Sequence, residues 1–174
     1  MKGGVFTAQS ILNSKRILAV DDEPDVLDVL EEEILGYAPN CKIEKVTTYQ
    51  EATSRLESQN YDAVVLDIMG VRGFDLLDQA VKRKFPTAML TAHSLNPESL
   101  KRSIEMGARA YLPKEKMGEI VPFLEDILEE ADGLSGWGGF MNKLESYFAA
   151  TWGEFWKKSE EKFWKDFEKK TSRK

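Results

Sequence analysis

The chain reads as an α/β protein built on a five-stranded parallel sheet. Short runs rich in Val, Ile and Leu alternate with segments of helical period along the first 132 residues, the pattern of strand-helix units that lay their strands side by side in one direction. Each apolar run is also too continuous or too short to be a helix, as expected of strands covered on both faces.

The predicted strands span residues 16–20, 43–47, 63–66, 88–91 and 110–112. After the first, Pro24 suits a first helical position because its φ is already fixed, and Val26, Val29, Leu30 and Ile34 follow at helical spacing towards Gly36. Tyr49, Ala52 and Leu56 mark a second helix. Phe74, Leu77, Val81 and Phe85 mark a third, closed before Pro86 because the residue preceding a proline is pushed out of the helical region. Pro97 opens a fourth that runs to Met106, with Gly107 just beyond it. Ile120, Phe123, Leu124, Ile127 and Leu128 make the fifth. There is no internal sequence repeat.

A length of 174 residues suits one domain and an appendage, and 42% hydrophobic with 31% charged residues is a globular composition. No run approaches the roughly 20 apolar residues a membrane helix requires. The N-terminal segment has one Lys and no apolar run of signal-peptide length, and Cys41 is the single cysteine, so a reducing cytoplasm is the expected location. Residues 1–136 carry 15 Lys and Arg against 24 Asp and Glu, whereas residues 137–174 carry 9 against 6. The acidic body argues against a nucleic-acid surface and favours proteins or cations as partners. Four glycines between Asp132 and Gly139 mark the clearest boundary. The expected organisation is an N-terminal arm (1–14), a main domain (15–132), a Gly-rich linker (133–139) and an amphipathic helical extension (140–174).

Ligands of an open parallel sheet sit beyond the C-terminal ends of its strands, where the strand order reverses. The first predicted strand runs into Asp21, Asp22 and Glu23, the third into Asp67, the fourth ends on Thr91, and Lys114 follows the fifth by two residues. Carboxylates converging in a partly desolvated site repel and call for a cation, and hard oxygen ligands select Mg²⁺. Lys114 and Thr91 offer the charge and hydrogen bonding that phosphoryl oxygens need, and Asp67, projecting alone, is the natural nucleophile.

Taken together, VDDE after the first strand, LD after the third, LTA at the fourth and AYLPK at the fifth resemble the receiver domain of two-component response regulators over roughly residues 15–132. The resemblance implies a flavodoxin-like doubly wound sheet of order 2-1-3-4-5. It implies that Asp67 accepts a phosphoryl group from a sensor histidine kinase or phosphotransfer protein. Mg²⁺ would be held by Asp22, Asp67 and the main-chain carbonyl of Met69, with Asp21 acting through water. Lys114 would pair with the phosphoryl group, the Thr91 hydroxyl would move towards it, and Tyr111 matches the switching aromatic. The output face would be the fourth helix, fifth strand and fifth helix, serving a downstream protein target, which makes the chain a signalling module and not a classical enzyme. Two departures from the family pattern stand out. The loop after Asp67, Ile-Met-Gly-Val-Arg-Gly-Phe-Asp, is shorter and lacks the usual proline, and Pro113 precedes Lys114 where the family has Lys-Pro.

Other classes remain open. A receiver that takes no phosphate would serve as a docking or dimerisation module. Aspartate-nucleophile phosphatases of the haloacid dehalogenase type need a second Asp two residues after the nucleophile, where this chain has Met69, and a flavodoxin-like cofactor site needs Ser, Thr and Gly where Asp21, Asp22 and Glu23 stand. His93, the only histidine, builds neither a zinc cluster nor a triad and reads as a surface-loop residue. In the extension, Phe140, Leu144, Tyr147, Phe148 and Trp152 form one stripe, whereas Phe155, Trp156, Phe163, Trp164 and Phe167 drift to another face, consistent with a bend near Gly153. The stripe can pack on the main domain or in a homodimer, dock on a partner through Trp and Phe anchors, or lie in a membrane interface. Interspersed Glu and Asp weigh against the last.

Overall fold

A computed structural model describes residues 9–93, 95–129 and 137–172. Strands β1 (Arg16–Val20), β2 (Lys42–Val46), β3 (Ala63–Asp67), β4 (Thr87–Thr91) and β5 (Ala110–Pro113) alternate with helices α1 (Pro24–Tyr37), α2 (Tyr49–Ser58), α3 (Gly73–Lys82), α4 (Pro97–Glu105) and α5 (Ile120–Glu129). Helices α6 (Trp137–Trp152) and α7 (Glu161–Thr171) follow. All five strands are parallel, in the order β2-β1-β3-β4-β5. This is the flavodoxin-like order expected from the sequence. β1 therefore lies between β2 and β3, and the order reverses beside it. Every residue of β3, β4 and β5 is buried, which is why these strands read as unbroken apolar runs. α1 packs beside α5, and α2 beside α3.

Local chemistry sets the helix starts. The Thr48 hydroxyl accepts from the Glu51 N–H at α2, and the Asn96 side chain accepts from the Ser99 N–H at α4, each satisfying an otherwise unpaired donor of the first turn. α3 is shorter than its periodicity predicts. Lys84 adopts φ +61°, the Phe85 N–H bonds back to Ala80, and the Phe85 ring packs edge-on against Tyr61 at 5.9 Å. Phe85 thus fills the core from a turn. Beyond β5 a 3-10 stretch, Lys114–Glu119, leads into α5, so Lys114 leaves the sheet directly into a tight turn.

The linker boundary differs from the sequence expectation. α6 begins at Trp137, so the last three residues of the stretch read as linker are helical. Residues 130–136 lie outside the described residues. The bend expected near Gly153 is a full reversal. Gly153 takes φ +91°, a conformation open to a residue without Cβ, and α7 returns along α6 until Phe167 faces Trp137 at 6.0 Å.

The resulting hairpin packs across α4, β5 and α5. Phe140 meets Phe123 of α5 at 5.3 Å, and Phe148 lies edge-on to Tyr111 of β5 at 6.2 Å. The Trp137 indole N–H donates to the Ala108 carbonyl at 3.0 Å. Ion pairs join Lys101 of α4 to Glu160 and Lys143 to Asp126 of α5, both at 3.1 Å. Of the fates open to the stripe, packing on the chain's own domain is the one observed.

Candidate functional site

Asp21 follows β1, and its N–H extends the sheet by bonding to the Val46 carbonyl at 3.1 Å. Its Oδ1 accepts from the Glu23 N–H at 2.9 Å, a local turn that directs the chain into Pro24 and α1. Asp22 is exposed, whereas Asp21 and Asp67 are 1% and 4% exposed. Because β1 and β3 are neighbours, Asp67 at the tip of β3 comes beside this pair. Carboxylate oxygens of Asp21, Asp22 and Asp67 lie within 4.8 Å of one another.

Lys114 arrives from the end of β5. Its ammonium stands 2.8 Å from Asp21 Oδ2 and 3.2 Å from Asp67 Oδ1. No hydrogen bond from another described residue reaches Asp21 Oδ2, so this ion pair is its partner. Two carboxylates at such separations repel by about 3 kcal/mol at an effective dielectric of about 20. One ammonium among three carboxylates leaves two negative charges uncompensated.

The electrostatics follow. Burial, reinforced by the Asp21 and Asp22 charges and opposed by Lys114, pushes the Asp67 carboxyl up to about 7. Asp21 is also raised, chiefly by burial, against the pull of Lys114 and the Glu23 N–H. Burial acts to lower the Lys114 ammonium, but the two carboxylates outweigh it and raise the group. These residues suit a hard divalent cation: oxygen donors, an excess of negative charge and a buried carboxylate oxygen whose one partner is a lysine.

The loop after Asp67 replaces proline with two glycines. Gly70 takes φ +83°, and a Cβ there would collide with the Asp22 carboxylate, so the Met69–Gly70 peptide lies against the acidic cluster. A Cβ on Gly73 would strike the Asp67 carbonyl. Arg72 caps α3 with φ +54°, and the Gly73 N–H donates to the Ile68 carbonyl at 3.0 Å, closing the loop. The shorter loop therefore still brings main chain to the carboxylates. The Met69 side chain is exposed.

Thr91 ends β4 beside Pro113 and one position past Leu90, the register partner of Asp67, and it is buried at the same sheet edge. Tyr111 is fully buried on β5. Its hydroxyl is 2.6 Å from Ser99 Oγ of α4, and burial pushes it up to about 12. His93 is exposed, as expected of a loop residue. Sequence reasoning singled out Asp21, Asp22, Asp67, Thr91 and Lys114 but missed the roles of Gly70 and Gly73, the signal for which was two glycines in place of a proline. It also missed Ser99, which only the tertiary fold brings to Tyr111.

A model of the response regulator receiver domain matches residues 17–124. The chain belongs to the response regulator receiver domain family. A two-component response regulator of Arabidopsis thaliana, ARR18, is 38% identical over 106 residues, which cover 57% of this chain and 16% of that relative. The match thus spans about a sixth of the relative's length. A CheY-like response regulator receiver domain protein from Methanospirillum hungatei superimposes with a TM-score of 0.56 at 25% identity, covering 66% of this chain and 96% of its own. A response regulator from Chloroflexus aurantiacus gives 0.59 at 25% identity, covering 67% and 98%. Receiver domains of this family are signalling modules that accept phosphoryl groups and bind Mg²⁺ at an acidic pocket, and here Asp21, Asp22 and Asp67 form an acidic cluster. Among the described residues no helix is long and apolar enough to cross a membrane.

Proposed function

We propose that Asp67 is the phosphoryl acceptor of this receiver domain, taking the group from the phosphohistidine of a sensor histidine kinase or phosphotransfer protein. The observation that carries this reading is Lys114, shared between Asp21 at 2.8 Å and Asp67 at 3.2 Å at the edge where the strand order reverses. A carboxylate oxygen of Asp67 attacks phosphorus, the phosphorus–nitrogen bond of the donor breaks, and its electron pair stays on the leaving imidazole. Asp22, Asp67 and the Met69 carbonyl are the residues to hold Mg²⁺, with Asp21 reaching it through water. That ion, when bound, neutralises charge on the phosphoryl oxygens. Lys114 pairs with one phosphoryl oxygen and the Thr91 hydroxyl donates to another. The buried, partly desolvated setting strengthens both interactions. With Tyr111 as the switching aromatic, output runs to a protein target through the face of α4, β5 and α5 and the hairpin that covers it. Self-association through the extension would first require that face to be uncovered.

The test is labelling. With Mg²⁺ and acetyl phosphate the chain gains one phosphoryl mass, and Asp67→Asn abolishes the gain. A phosphoryl mass persisting on Asp67→Asn refutes the acceptor. An unlabelled wild type favours a docking module that takes no phosphate.

A further inference from the structure

Two separate connections run from the carboxylate site to one stretch of α6. The first leaves from Thr91. Four positions further along the sequence the Leu95 carbonyl accepts the Trp152 indole N–H at 3.2 Å, and Asn96 caps α4. The second leaves from Lys114. Its chain neighbour Glu115 accepts the Tyr147 hydroxyl at 3.0 Å, and the Lys116 ammonium sits over the Tyr147 ring at 5.3 Å. Between them Phe148 covers Tyr111 and stacks on Trp152, one helical turn on, with centroids 4.5 Å apart and planes 2° from parallel. Tyr147, Phe148 and Trp152 are thus gripped by the residues that follow Thr91 and by those that follow Lys114.

We infer that residues 147–152 of α6 form a clasp that reads the occupancy of Asp67, docked while Lys114 is shared between Asp21 and Asp67 and loosened when a phosphoryl group engages Lys114 and Thr91. This rests on the acceptor reading above. The sign follows from what the structure holds at once. The clasp is closed while Lys114 bridges the two carboxylates. Phosphoryl oxygens on Asp67 compete with Asp21 for that ammonium. Glu115 and Lys116 directly follow Lys114, so a backbone adjustment at Lys114 reaches both contacts on Tyr147. A contact that favours the unloaded state lowers affinity for the load by the same factor, and loading loosens that contact reciprocally.

All four tryptophans, Trp137, Trp152, Trp156 and Trp164, lie in or between α6 and α7, so intrinsic emission reports the hairpin, Trp152 of the clasp included, and not the acidic site. The experiment titrates the full chain with Mg²⁺ and beryllium fluoride, a phosphoryl mimic, following binding by ¹⁹F NMR and the clasp by tryptophan emission. Binding is expected to shift emission to longer wavelength. Trp152→Phe and Tyr147→Phe each remove one hydrogen bond while keeping a ring, and each should tighten beryllofluoride binding about fivefold. Asp67→Asn should neither bind nor respond. Bound beryllofluoride with unchanged emission, with a shift to shorter wavelength, or with wild-type affinity in both variants overturns the clasp and leaves the acceptor reading standing. Absence of a bound ¹⁹F signal in the wild type overturns the acceptor reading, and the clasp with it.

Discussion

Asp67→Asn should make the metal-free protein more stable at pH 8 and leave it nearly unchanged at pH 4. The folded chain raises this carboxyl from about 3.8 to about 7, principally by burial, so folding favours its protonated form. Below pH 4 the group is protonated folded or unfolded and contributes nothing. As pH rises from about 4 to about 7 the unfolded chain sheds the proton while the folded chain keeps it, and stability falls. Above about 7 the full penalty is present. A difference of about three pK units, at about 1.4 kcal/mol each, sets it on the order of 4 kcal/mol. The side chain is 5% exposed, so solvent screening takes little from that figure. An amide of the same shape removes the charge that burial, Asp21 and Asp22 oppose, at the loss of the Lys114 pairing. The assay is urea unfolding at pH 4, 6 and 8 in chelator, with Mg²⁺ added in a parallel series. Asp67→Asn should gain a few kcal/mol over wild type at pH 8, and Mg²⁺ should narrow the gap by favouring the ionised wild type. Equal stability of the two proteins at pH 8, or an advantage of the same size at pH 4, would refute the reasoning.

Two further outcomes follow from the geometry. Gly70→Ala places a Cβ against the Asp22 carboxylate on a backbone with positive φ, so calorimetric Mg²⁺ affinity should fall at least about tenfold and stability by about 1 kcal/mol or more; unchanged Mg²⁺ affinity would contradict the loop's place against Asp22. Phe148→Ala empties a fully buried position among Tyr111, Phe140, Trp152 and Trp156 and should destabilise the chain by about 3–5 kcal/mol in denaturant unfolding, whereas a loss below about 1 kcal/mol would mean the hairpin is not docked.

Much of the fold was legible because strands buried on both faces have little choice but to be continuous and apolar. β3 could be read from Ala63 to Leu66 alone, and the structure adds only Asp67 at its tip. The acidic site was legible for a related reason: a parallel sheet sends all its strand ends to one edge, so Asp21, Asp67, Thr91 and Lys114 were bound to gather there. What the order of residues does not encode is which partner each one finds. Lys114 pairs with Asp21 and Asp67 while Asp22 stays exposed, a choice set by the turn that ties Asp21 to the Glu23 N–H. Phe85 misled for the same reason, since its helical spacing is satisfied equally well from a turn that packs it on Tyr61. Packing of the aromatic extension on the main domain was among the fates the stripe allowed, but the surface it covers was not legible. A stripe of Trp and Phe records that a surface will be covered, and only the folded domain supplies the Ala108 carbonyl, the Leu95 carbonyl and the Tyr111 ring that decide which surface.

β5 is the outermost strand on its side of the sheet, yet all four of its residues are buried. A rim strand of such composition is where a strand from another molecule would add, propagating the sheet from copy to copy. Here Trp137 binds the carbonyl just before the strand and Phe148 lies over its middle, so the rim is occupied by the chain's own helix before any neighbour can reach it. The extension accordingly lies as a guard along this rim. If only residues 147–152 loosen during signalling, the Trp137 end stays in place and the guard is never fully lowered.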